Sequence, residues 1–129
     1  MTVRKKILIV DDDPDILEFL SYNFKKKEFT VYTANNGVEG IDQAENVLPD
    51  IIISDVLMPV MDGIEMCRFM KQSPILKSIP TIILSAINNE FKILNSMDSG
   101  ADEFASKPIK FDDLLGIVNR VIDEKKVEM

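Results

Sequence analysis

Three short stretches of this chain are apolar without alternation, and each stops at a polar side chain. Ile7–Val10 runs into Asp11, Ile51–Ser54 into Asp55, and Thr81–Leu84 into Ser85. A strand with one solvated face alternates apolar and polar residues. A run that does not alternate reads as a strand buried on both faces, which is the habit of a parallel sheet covered by helices.

The intervening sequence supplies helices. Pro14 suits a first helical turn, Ile16, Leu17, Leu20 and Phe24 share one face, and Lys25–Lys27 complement the dipole at the end. Phe29–Ala34 is rich in strand formers and is punctuated by Asn36-Gly37. A weaker helix is predicted from Val38 to Val47, with Ile41, Ala44 and Val47 or Leu48 inward and Pro49 as its stop. Asp62 is a good N-cap for a helix over Ile64 to about Lys71. Asn88 or Asn89 can cap a helix through Met97 that ends at Gly100. Glu103–Ser106 is a last short strand, and Asp112 is expected to cap a final helix to about Lys125. Strand and helix thus alternate five times. That order implies a doubly wound α/β fold, a parallel sheet with helices on both faces and right-handed crossovers.

The 129 residues fit one domain, expected over residues 1–125, with 126–129 as a charged tail or the start of a linker. Hydrophobic residues at 46% and charged residues at 29% exclude a disordered or collagen-like chain. Fifteen basic against 22 acidic residues leave a net charge of −7, which argues against a nucleic-acid surface. No segment is long and apolar enough for a signal-peptide core or a membrane span. The single cysteine, Cys67, allows no internal disulfide and fits a reducing compartment, so a cytoplasmic location is expected. Cys67 itself reads as a small core residue of the third helix. The chain has no histidine, which removes the usual general base and the commonest metal ligand.

Open α/β sheets bind their ligands at the carboxyl ends of the strands. Those ends carry Asp11–Asp13, Asp55, Ser85 and Lys107. Two carboxylates ~4 Å apart repel by about 4 kcal/mol at an effective dielectric near 20. Several in one crevice therefore need cations among them. Lys107 is one. Oxygen-only donors with no His or Cys nearby favour Mg²⁺ over Zn²⁺ as another.

These residues form a pattern. Val10-Asp11-Asp12-Asp13, Asp55 with Met58-Pro59-x-x-Asp62-Gly63, Ser85-Ala86, and Gly100-Ala101-Asp102-Glu103-Phe104 followed by Lys107-Pro108 occur in order and at ordinary spacing. The chain, from about Lys5 to Lys125, resembles the receiver domain of bacterial two-component response regulators. The resemblance implies a flavodoxin-like, five-stranded sheet of order 2-1-3-4-5 with five helices. It implies that Asp55 accepts a phosphoryl group from a histidine kinase or a phosphotransfer protein. Mg²⁺, or Mn²⁺ in its place, would be held by Asp12, Asp55, the Leu57 backbone carbonyl and, mainly through water, Asp11. Ser85 and Lys107 would contact phosphoryl oxygens, across a cis Lys107–Pro108 peptide. Ser85 and Phe104 would act as the switch, and the face built from the fourth helix, fifth strand and fifth helix would meet a second copy or an output partner. The apolar Leu57 and Ile87 would flank the path of the hydrolytic water and set a long phosphoryl lifetime. Such a domain is no enzyme beyond promoting its own phosphorylation and dephosphorylation.

Two other readings compete. Asp11-x-Asp13 formally fits the nucleophile pattern of haloacid-dehalogenase-type phosphatases, although the chain is short and shows no cap domain. A non-phosphorylated interaction module is the other. In the final helix, Phe111, Leu114, Leu115, Ile117, Val118, Val121 and Ile122 span a wide apolar arc, of which Leu114, Ile117 and Val121 are candidates for a dimer or partner contact.

Overall fold

The computed structural model describes residues 3–86 and 97–127. Five strands, β1 (Lys6–Val10), β2 (Thr30–Ala34), β3 (Ile51–Ser54), β4 (Thr81–Ser85) and β5 (Glu103–Ser106), form one parallel sheet of order β2-β1-β3-β4-β5. Helices α1 (Pro14–Lys26), α2 (Gly37–Val47), α3 (Gly63–Lys71) and α4 (Phe111–Val127) cover it. The register places Val10 beside Ser54 and Ser85 beside Ser106. The strands therefore end at nearly one level, and the residues that follow them share one rim.

The non-alternating runs behave as their composition requires. Alternate residues of a strand point to opposite faces, and here both faces are core. Ile7, Ile9, Ile51, Ile53, Ile82 and Leu84 pack under α1 and α4 against Leu20, Phe24 and Val118. Leu8, Val10 and Ile52 pack under α2 and α3 against Ala44, Met66 and Met70. Burying each such side chain is worth about 1.5–3 kcal/mol. Phe24 adds edge-on contacts to Phe29 and Phe111, with ring centroids 5.2 and 4.9 Å apart. Cys67 is fully buried in a smaller cluster with Val56, Ile83 and Ala101.

Several expectations are corrected. The second helix begins at Gly37, one residue early, because Asn36 is its N-cap rather than a plain turn residue. The Asn36 side chain accepts from the Glu39 N–H at 3.0 Å, and Glu39 reaches back to it. Val47 is half-buried, but Leu48 is exposed, because it closes the helix in a left-handed conformation at φ 48°. The last helix starts at Phe111, so Asp112 lies in its first turn and the Lys110 carbonyl opens it. It also continues to Val127, past Lys125. Leu114 and Val121 are buried in the core under α4, so neither is a partner contact, whereas Ile117, like Phe111 and Leu115, is only partly buried. The helix expected from Asn88 to Met97 lies outside the described residues apart from its end. There Met97 and Asp98 are helical and Gly100 turns the chain at φ 99°.

Candidate functional site

Strands β1, β3 and β5 are each followed by a site residue that a backbone bond holds at the carboxyl end of the sheet. The Asp55 N–H donates to the Val10 carbonyl at 2.9 Å and the Asp11 N–H to that of Ala34 at 3.1 Å. These bonds carry the sheet pattern one residue past β1 and β3 and set the two aspartates side by side. On the other flank, the Lys107 N–H donates to the Ser85 carbonyl at 2.8 Å, and the Lys107–Pro108 peptide is cis.

Lys107 joins the two flanks. Its ammonium donates to Asp11 Oδ2 at 2.8 Å and to Asp55 Oδ2 at 3.3 Å. The other oxygens are also held. Asp11 Oδ1 accepts from the Asp13 N–H at 2.9 Å, and Asp55 Oδ1 accepts from the Val56 N–H at 2.7 Å. Asp11 is 3% exposed. Burial pushes its carboxyl above the usual carboxylate range, against the opposing pull of the Lys107 and Asp13 hydrogen bonds. Burial alone would lower the Lys107 ammonium. The Asp11 hydrogen bond and the Asp55 charge outweigh it and hold Lys107 above its ordinary value.

Oxygens of Asp11, Asp12 and Asp55 all lie within 4.8 Å of one another. Among the described residues, three carboxylates, one buried, one half-buried and one exposed, thus lie together beside one ammonium, an excess of negative charge. The donor set is all oxygen and its geometry open, which suits a hard divalent cation. Asp13, counted with the cluster in the sequence, stands apart from it. Its side chain caps α1 by accepting from the Asp15 N–H at 2.9 Å. The signal was present, since an aspartate directly before Pro14 is a helix start.

Ser85 is 1% exposed at the end of β4, between the strands that carry Asp55 and Lys107. Leu57 is 61% exposed on the loop after β3. Phe104 is half-buried on β5 against the cluster around Cys67 and Ile83. Ile87 lies outside the described residues. Beside Lys107 an open apolar groove of about 410 Å³ is lined by Ile16, Phe19, Leu20, Ala86, Pro108 and Ile109. No described helix is long and apolar enough to cross a membrane.

Sequence reasoning missed the backbone supports of the loop after β3. The Gly37 N–H donates to the Met61 carbonyl and the Gly63 N–H to that of Val56, both at 2.9 Å. Both contacts join residues that no local pattern links.

Comparison with known proteins agrees with this arrangement. The family model described as "Response regulator receiver domain" matches residues 7–119. The alkaline phosphatase synthesis transcriptional regulatory protein PhoP of Bacillus subtilis (strain 168) is 38% identical over 106 residues, 82% of this chain and 43% of that protein. Response regulator MprA of Mycobacterium ulcerans (strain Agy99) is 32% identical over 128 residues, 99% of this chain and 53% of that protein. The chain thus spans about half the length of these two relatives. A solved CheY-like receiver domain protein from Methanospirillum hungatei JF-1 superposes with a TM-score of 0.92 at 27% identity, covering 98% of this chain and 100% of that one. The chain belongs to the response regulator receiver domain family.

Proposed function

We propose that this receiver domain, residues 1–125 with 126–129 as tail or linker, takes a phosphoryl group onto Asp55 from a phosphohistidine of a histidine kinase or a phosphotransfer protein. The observation that carries this reading is the Lys107 ammonium bridging the Asp11 and Asp55 carboxylates beside Asp12. An Asp55 carboxylate oxygen attacks phosphorus, the phosphorus–nitrogen bond breaks, and its electron pair leaves with the imidazole. The product is an acyl phosphate. A carboxylate nucleophile needs no base, so a chain without histidine is no obstacle.

The site's work is positioning and charge. Lys107 balances part of the charge arriving with the phosphoryl group, and Ser85 donates to one of its oxygens. Asp12, Asp55, the Leu57 carbonyl and, through water, Asp11 would hold Mg²⁺ or Mn²⁺, which the all-oxygen donors fit. When bound, that ion supplies positive charge against the phosphoryl oxygens.

Receiver domains of response regulators are generally non-catalytic signalling modules, and in this reading the chemistry is confined to the domain's own aspartate. The apolar groove beside Lys107 suits the partner that brings the phosphohistidine. Leu57 and Ile87 orient no water, so the phosphoryl group lasts minutes or more without a phosphatase. The switch runs through Ser85 and Phe104 to the face built from the expected helix before β5, β5 itself and α4, where a second copy or an output partner binds. On that face Arg120 is held by Glu103 at 2.5 Å and Glu124 at 2.9 Å. The domain works in the cytoplasm, on neither nucleic acid nor membrane.

The phosphatase reading loses support from Asp13, whose carboxylate is occupied in capping α1. Incubation with acetyl phosphate and Mg²⁺, followed by intact mass, is the test. The wild-type chain gains one phosphoryl group, Asp55→Asn gains none, and a simple phosphate ester is not turned over. An adduct that persists in Asp55→Asn, or steady ester hydrolysis, sinks the reading.

A further inference from the structure

The last residue of β3 is a buried serine in an otherwise aliphatic strand. Ser54 is 0% exposed, and its hydroxyl donates to the backbone carbonyl of the next residue, Asp55, at 2.8 Å. That carbonyl belongs to the peptide plane whose other end is the Val56 N–H. The Val56 N–H in turn donates to Asp55 Oδ1 at 2.7 Å. One rigid plane is therefore gripped at its oxygen by Ser54 and grips the Asp55 carboxylate with its nitrogen.

The third support is Gly63. A Cβ placed there would lie 2.0 Å from the Asp55 carbonyl oxygen and 2.9 Å from Ser54 Oγ. Only a residue without a side chain lets the start of α3 close over this peptide, and the Gly63 N–H completes the closure by donating to the Val56 carbonyl at 2.9 Å. Turning the plane would carry the Val56 N–H away from the carboxylate and release it to rotate. It would also move the loop that begins at Val56 and carries Leu57.

We propose that Ser54 is a positioning residue for phosphorylation. Its hydroxyl fixes the Asp55–Val56 peptide plane and so the orientation in which the Asp55 carboxyl meets phosphorus. Ser54 touches no reacting atom and acts through the backbone. The inference rests on the reading of Asp55 as phosphoacceptor and adds the element that aims it.

The test compares Ser54→Thr with Ser54→Val in the full chain. The two side chains have nearly the same shape and differ in the hydroxyl, so any effect of added bulk cancels. Initial rates of mass gain with acetyl phosphate are read at saturating Mg²⁺, well below the melting temperature, where a role in stability alone leaves the rate unmoved. Ser54→Thr is expected to react about tenfold faster than Ser54→Val, the scale of one lost hydrogen bond that orients a reacting group. Equal rates overturn the proposal. Should both branched variants melt below the assay temperature, Ser54→Ala takes their place. A rate about tenfold below wild type supports the proposal, and a wild-type rate overturns it. An unreactive wild-type chain instead overturns the phosphoacceptor reading, and this inference with it.

Discussion

The two ends of the sheet hold charges in opposite proportion. At the carboxyl end, the Asp11 and Asp55 carboxylates share the Lys107 ammonium, and Asp12 adds a third carboxylate beside them. At the amino end, one carboxylate, Asp102, meets two ammoniums, Lys125 at 3.2 Å and Lys71 at 3.8 Å, and accepts the buried Thr81 N–H at 2.9 Å. The Asp102 N–H returns a bond to the Thr81 carbonyl at 2.8 Å, which locks β5 to β4. The amino-end cluster is satisfied within the molecule. The carboxyl-end cluster carries negative charge that the described residues do not balance, and that excess is what a ligand can use.

The largest expected effect tests the satisfied end. Asp102→Ala leaves the buried Thr81 N–H without this acceptor and removes the carboxylate that meets Lys71 and Lys125. It should lower stability by about 2 kcal/mol, the scale of a lost hydrogen bond to a charged group, while the chain still gains phosphoryl mass. Urea unfolding and the acetyl phosphate assay on one preparation check both halves. A variant of unchanged stability would break the contrast between the ends.

The excess at the other end predicts an effect of pH. Asp11 has its carboxyl raised by burial, so the folded state takes up a proton before the unfolded chain does. The ionised form therefore opposes folding. As pH falls from 7, the metal-free wild type should gain stability relative to Asp11→Asn. The gain begins above pH 3.8, the ordinary carboxylate value, and is complete below it. Unfolding curves of both proteins without divalent cations give the difference at each pH. A wild type that instead loses stability relative to Asp11→Asn on acidification would mean that the Lys107 bond outweighs burial at Asp11.

How much of this was legible in the sequence follows from what is local. The bounds of β3 and β5, the capping of α3 by Asp62 and the gathering of Asp11, Asp12, Asp55 and Lys107 at one rim all follow from short patterns plus the rule that parallel strands end together. What escaped depends on contacts between distant segments. Leu114 and Val121 read as surplus apolar residues because a sequence does not show how far α4 sinks against β1, β3 and Phe24. Gly63 read as part of a loop motif, and its real constraint, the Asp55 carbonyl under its Cα, exists only once α3 has docked. Asn36 was legible and was read too weakly, since Glu39 stands at the spacing of a capping box.

The smallest expected effect separates the two ends by strain. Both ends hold residues in the left-handed region. At the amino end the described ones are Glu28, Leu48 and Gly100, at φ 68°, 48° and 99°, none of them β-branched. At the carboxyl end the residue is Val60, φ 70°, at the centre of a tight turn in which the Met61 N–H donates to the Pro59 carbonyl at 2.8 Å. A β-branched residue is poorly suited to that conformation. The Val60 side chain is 81% exposed, so little burial offsets the strain. The turn is held from outside by the Gly37 N–H on the Met61 carbonyl at 2.9 Å, which keeps Val60 where it is. Val60→Gly removes the Cβ clash, worth about 1–2 kcal/mol, and adds freedom to the unfolded chain, which takes back about 0.4–1 kcal/mol. The net expectation is a gain of about 0.5–1 kcal/mol, read as a higher melting temperature. A lower one would mean that the exposed valine holds the loop through contacts of its own, and that strain does not distinguish the two ends.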